Sequence, residues 1–178
     1  MESSGWQLVG ETFMSEFSDL TDAGEVTRIL LRLSLAALLG GLLGIEREKK
    51  GKAAGVRTHM LVSMGAALFV LLSQQVGMLS SDLSRVVQGI IAGVGFLGAG
   101  AILKGDNEDQ VKGLTTAAGI WLTAAIGVAA GMGRESTAVL STLLALGIFT
   151  LMPRVDRLLD KPETLGADAS PPDLHRPP

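Results

Sequence analysis

The chain contains no cysteine. That excludes a disulfide framework, a thiolate metal site and a cysteine nucleophile. Histidine is almost as scarce, present only as His59 and His175. No serine–histidine pair or histidine cluster is available within the apolar segments, and no pair of aspartates lies there to act as acid and base, so catalysis is not expected. The first 27 residues hold no Lys or Arg and do not present the basic n-region of a secretory signal. The net charge is only −3, which gives no global field pointing to nucleic acid.

What the chain does have is apolar length. Of its 178 residues 47% are apolar, and they gather into five blocks at about 26–45, 59–79, 86–103, 113–131 and 136–152, near the roughly 20 residues of one bilayer crossing. The expected fold is all-α: a polytopic membrane protein of about five transmembrane helices. Glycine is abundant, at 23 residues, and sits largely inside the blocks, where it lets helix backbones approach closely.

Lys and Arg set the orientation. The segments after the first, third and fifth blocks carry eleven of them and the other side carries four. The N-terminus is therefore placed outside and the C-terminus in the cytoplasm. Residues 1–25 read as an acidic amphipathic extracytoplasmic leader, with Trp6, Val9, Phe13, Phe17 and Leu20 at helical spacing. Asp22 and Glu25 are spaced like a capping box, which starts the first span near Ala23. Residues 26–153 form the transmembrane domain. Residues 154–178 are polar and Pro-rich, a composition that reads as a mostly disordered cytoplasmic tail. Arg28 and Arg32 are read as snorkelling anchors at the outer end of the first span. The alternative for Arg32 is that it faces the bundle interior.

Gly93, Gly95 and Gly98 spell GxGxxG, but inside an apolar span with no βαβ unit around it. A nucleotide site is rejected. Gly93, Gly95, Gly98 and Gly100 are instead read as a helix-packing surface. The alternative is a broken helix whose freed carbonyls line an ion path. GxxxG pairs occur at Gly40/Gly44, Gly89/Gly93 and Gly127/Gly131.

Glu46 and Arg47 stand at a membrane boundary, where ionisable groups are costly unless paired. Arg57 and Thr58 open the next helix nearby. A polar network of Glu46, Arg47, Arg57 and Thr58 is expected, with Glu46–Arg57 as the key pair and Lys50 facing solvent. The alternative is that the basic residues only contact anionic lipid. Gln88, Thr115, Thr116 and Trp121 form a candidate intramembrane polar cluster, in which a hydroxyl or amide satisfies the indole N–H. Asp106, Glu108 and Asp109 offer oxygen ligands for a hard cation such as Mg²⁺. A solvated polar loop is the plainer reading.

Taken as a set, GIERE at 44–48, AGVRT at 54–58, GVGFLGAG at 93–100 and VKGLTTAA at 111–118, followed by Trp121, resemble the MgtC/SapB family of bacterial membrane proteins. The resemblance covers about residues 28–153. It implies an inner-membrane protein linked to magnesium limitation and, in some pathogens, to survival inside host cells. The matched signature positions are Glu46, Arg47, Gly55, Arg57, Thr58, Gly93, Gly95, Gly98, Gly100, Gly113, Thr115, Thr116 and Trp121. Many family members have a folded cytoplasmic domain after the last span, and this chain is expected to lack it. The family implies either modulation of other membrane machines, such as the ATP synthase, or magnesium transport. The expected role is ion homeostasis through other membrane proteins, with a cation transporter or channel as the alternative. No cofactor is implied beyond Mg²⁺ as a candidate cation. The expected partners are membrane lipids, other membrane proteins and further copies of the chain.

Overall fold

In the computed structural model, residues 5–16, 22–104 and 111–159 are described. The elements run α1 (Gly5–Glu16), α2 (Ala23–Lys49), α3 (Val56–Gln75), α4 (Ser80–Ala101), β1 (Leu103–Lys104), β2 (Val111–Lys112), α5 (Leu114–Gly131) and α6 (Glu135–Leu159). Helices α2 to α6 are long and apolar enough to cross a membrane. The five expected spans are therefore present. The two short strands pair antiparallel, Leu103 with Lys112 and Lys104 with Val111, across the α4–α5 connection.

Helix starts follow local chemistry. Asp22 caps α2 by accepting from the Gly24 N–H at 2.8 Å, so the helix opens at Ala23, the position the capping spacing predicts. α4 begins at Ser80, where the sequence reading put a connection through residue 85. The connection is residues 76–79 instead, and α4 reaches back through Asp82 and Arg85. α6 continues through Pro153 to Leu159, so the helix runs six residues into the segment read as a tail. The leader helix α1 exists but buries none of its residues against the bundle.

Backbone contact at glycine organises the centre. A Cβ on Gly40 would lie 2.5 Å from the His59 carbonyl oxygen, and one on Gly44 2.5 Å from the Val56 Cα. A Cβ on Gly131 would lie 2.7 Å from the Ala67 carbonyl oxygen, and one on Gly127 would overlap that of Ser63. Thus the GxxxG pairs of α2 and α5 both clamp α3. Around this trio the core closes with Leu39 and Leu43 of α2, Ala67 of α3, Ile126 and Ala130 of α5, and Ala138, Ala145 and Phe149 of α6. α4 joins a second cluster through Val94, which meets Ala66, Ile120 and Ala124.

The third GxxxG pair behaves differently. α4 is one continuous helix, which overturns the broken-helix alternative. Nothing lies within 4 Å of a Cβ placed on Gly89, Gly93, Gly95 or Gly100. Only Gly98 packs closely, 3.6 Å from Ala117. Of the glycines read as a helix-packing surface, only Gly98 packs inside this chain, and the rest are open. An apolar groove of about 650 Å³ separates α4 from α3, with Gly65, Phe69, Gly89 and Gly93 among its walls.

Candidate functional site

The connection between α2 and α3 is an elbow whose charged residues are tied down. Gly44 sits directly on the Val56 backbone, which brings the two helix ends together. Glu48 then reaches across the elbow, and its Oε2 accepts from the Val56 N–H at 2.9 Å. That caps the α3 N-terminus, which has no side-chain cap of its own at Gly55. A Cβ on Gly55 would lie 2.5 Å from the same carboxylate oxygen, so a larger residue there would displace the Glu48 cap. The apposition of GIERE and AGVRT thus has a physical basis in this chain.

Inside the elbow, Arg47 Nε donates to Glu46 Oε2 at 2.5 Å. The Lys50 ammonium stands 2.5 Å from the other carboxylate oxygen. Arg47 is 2% exposed, and its guanidinium lies over the Phe149 ring, 3.7 Å from the centroid. A buried cation stacked on an aromatic face and bonded to a carboxylate has its charge met on both sides. Lys50 also donates to the Phe149 carbonyl. The reason lies four residues on. Pro153 has no N–H, so the Phe149 carbonyl loses its helical donor. The lysine replaces it, and α6 is pinned to the elbow.

This corrects the expected network. Glu46 and Arg47 are at its centre, but their partners are Lys50 and Phe149. Arg57 and Thr58 are exposed, and among the described residues Arg57 makes no ion pair. The helical geometry explains the error: residues 46 and 50 are one turn apart on one helix, whereas Arg57 lies one position past the α3 start and turns outward. Lys50 is exposed, as the sequence reading expected, yet it makes the contact with Glu46 that was expected of Arg57.

The expected cluster of Gln88, Thr115, Thr116 and Trp121 does not assemble. Thr116 is buried, but Gln88, Thr115 and Trp121 are exposed. No hydrogen bond joins them among the described residues. Trp121 instead lines a small apolar pocket with Val87, Ile90 and Ile91. Asp106, Glu108 and Asp109 fall outside the described residues. Among the described residues no group of three His, Asp or Glu side chains is placed to hold a metal ion.

At the opposite end, Arg32 is a clasp. Its Nη1 donates to Gln74 Oε1 at 2.9 Å and to the Gly131 carbonyl at 3.0 Å, and its Nε lies 3.8 Å from Glu135. The Gly131 carbonyl ends α5 and has no helical donor, so the arginine caps it. Arg32 therefore faces its neighbours, the alternative in the sequence reading. Gly133 turns the α5–α6 corner at φ +73°, and any side chain there would strike the Arg32 guanidinium.

Sequence reasoning missed Phe149, His59 and Ser63. Pro153, four residues after Phe149, was the available signal for the first. Nothing in the one-dimensional pattern marks the other two.

The elbow, His59, Ser63 and Phe149 lie within a stretch that matches a known family. A model of the MgtC family matches residues 33–158. Protein SrpB of Synechococcus elongatus is 42% identical over 146 residues, covering 76% of this chain and 80% of SrpB. The putative magnesium transporter YhiD of Escherichia coli is 42% identical over 130 residues, covering 67% of this chain and 60% of YhiD. Protein MgtC of Brucella abortus is 44% identical over 128 residues, covering 72% of this chain and 52% of that protein. The match thus spans less than two thirds of both YhiD and MgtC. No solved structure matches.

Proposed function

The chain belongs to the MgtC family, and on that premise we propose that it serves magnesium homeostasis in the bacterial inner membrane by binding other membrane proteins. The observation that carries this reading is the open face of α4. Gly89, Gly93, Gly95 and Gly100 leave backbone bare within a membrane span, the surface on which a foreign helix packs closely. Gln88 stands exposed on the same helix, where hydrocarbon offers its amide no partner and a neighbouring helix does.

The rival reading, a Mg²⁺ pathway through the chain, has less support. A divalent ion crossing about 30 Å of hydrocarbon requires a succession of oxygen ligands. The acidic residues of the five spanning helices lie near helix ends: Glu25, Glu46, Glu48, Asp82, Glu135 and Asp156. The unwound carbonyls that could replace them are absent from α4, which is helical throughout. The exposed Lys49, Lys52 and Arg57 at the elbow are suited to anionic lipid headgroups.

Mg²⁺ entry into sealed liposomes, read with an enclosed dye, tests the choice. Folded, inserted protein is expected to add no flux over empty liposomes. In a strain lacking its own copy, the Gly95→Leu variant is expected to insert normally yet fail to support growth at limiting Mg²⁺. Protein-dependent flux abolished by Gly95→Leu would overturn the proposal in favour of transport.

A further inference from the structure

We propose that His59 and Ser63 form an internal binding site for one small neutral hydrogen-bonding molecule, a water, where α2, α3 and α5 meet. Both residues are 0% exposed. They lie one turn apart on the face of α3 that the glycines of α2 and α5 clamp.

The donor and acceptor roles follow from one bond. His59 Nδ1 lies 3.0 Å from the Gly55 carbonyl. A carbonyl only accepts, so Nδ1 carries the proton and Nε2 of the neutral ring offers a lone pair. That Nε2 is fully enclosed and meets no protein donor. Ser63 Oγ is likewise enclosed and without a protein partner. Buried serine and threonine hydroxyls usually satisfy themselves on the carbonyl four residues back. Ser73, Thr123 and Thr142 do so here. Ser63 does not use the His59 carbonyl, although the spacing is the same.

Helix α5 meets the ring at Gly119. A methyl-sized group there would lie 3.6 Å from His59 Nε2 and 3.4 Å from Phe149 Cζ, both ordinary contact distances, so it would stand beside the ring nitrogen. A Cβ on Gly40 would strike the His59 carbonyl oxygen and Ser63 Cβ, and one on Gly127 the Ser63 backbone, so α2 and α5 close tightly around the pair. A bare cation is disfavoured, because the Arg47 guanidinium lies over the Phe149 ring that walls the site. A molecule that donates to Nε2 and bonds Ser63 Oγ meets both unfilled demands, and a water needs two to four such partners.

The site is independent of whether the protein conducts ions. It is tested by NMR of the full chain in nanodiscs with ¹⁵N-labelled histidine, using His175→Gln to leave His59 as the only signal. The native protein is expected to show an unprotonated, hydrogen-bonded Nε2 with magnetisation transfer from water. Gly119→Ala sets a methyl 3.6 Å from Nε2 and is expected to remove that transfer while helicity and elution stay native. Should Gly119→Ala fail to fold, Ser63→Ala is expected to weaken the transfer, and the native spectrum alone still decides. A protonated Nε2, no water transfer in the native protein, or transfer unchanged by Gly119→Ala would each overturn the site.

Discussion

Lys50 illustrates how one residue's role depends on a partner about a hundred positions away. Its ammonium replaces the backbone donor that Pro153 removes from Phe149, and it also balances Glu46. Lys50→Met keeps the stem and deletes both bonds. It is expected to cost about 1–3 kcal/mol, the range for an unsatisfied buried acceptor, read as a lower unfolding midpoint in detergent. Arg57→Met, at an exposed position, is expected to change stability by less than about 0.5 kcal/mol. Pro153→Ala returns an N–H to Phe149. In that background, Lys50→Met is expected to cost clearly less than in the native chain, a non-additivity that a double-mutant cycle detects. Equal costs in both backgrounds would show that the lysine does not serve the Phe149 carbonyl.

At the scale of the helix, three GxxxG pairs that look alike in sequence have two different fates. Gly40/Gly44 and Gly127/Gly131 sit against α3 backbone, while Gly89/Gly93 faces open space. The motif records small side chains, not what lies opposite them, so the sequence correctly announced close packing but could not assign it. The same limit explains the polar cluster that failed to form. Periodicity put Gln88 and Trp121 within spans, yet which side of a span faces a neighbour depends on helix rotation. Gly127→Ala is expected to destabilise by several kcal/mol or to prevent folding, because the new methyl would overlap the Ser63 carbonyl. Gly93→Ala is expected to be neutral or to stabilise by up to about 1 kcal/mol, since alanine favours the helix and meets nothing. Thermal unfolding of both variants in one detergent separates the two. Similar losses at both positions would mean that the α4 glycines are packed after all.

For the whole molecule, the number of spans was legible because apolar length is a one-dimensional property. Their ends were less so, since α4 begins six residues before its apolar block and α2 carries its helix through Glu46 to Lys49. The elbow was half legible: its residues stood out as charges at a boundary, but their pairing depended on α6. Orientation, expected from the Lys/Arg bias, is open to direct measurement. The native chain has no cysteine, so single introduced cysteines can be labelled without background. Lys52→Cys at the elbow is expected to resist a membrane-impermeant thiol reagent in intact cells, and Ser81→Cys at the start of α4 to react. The reverse pattern would invert the assigned topology.

The glycine contacts on α3 have a mechanical consequence. Three helices locked backbone to backbone cannot slide or roll past one another without steric overlap, and α6 is fastened to them by Arg47, Lys50 and Phe149. α4 meets this frame through Val94 and Gly98 and, at its C-terminal end, through Gly113, where a Cβ would overlap the Ala101 carbonyl. Its groove opens toward α3, beside that locked trio, so a helix arriving there would press on a wall that cannot slide away from it.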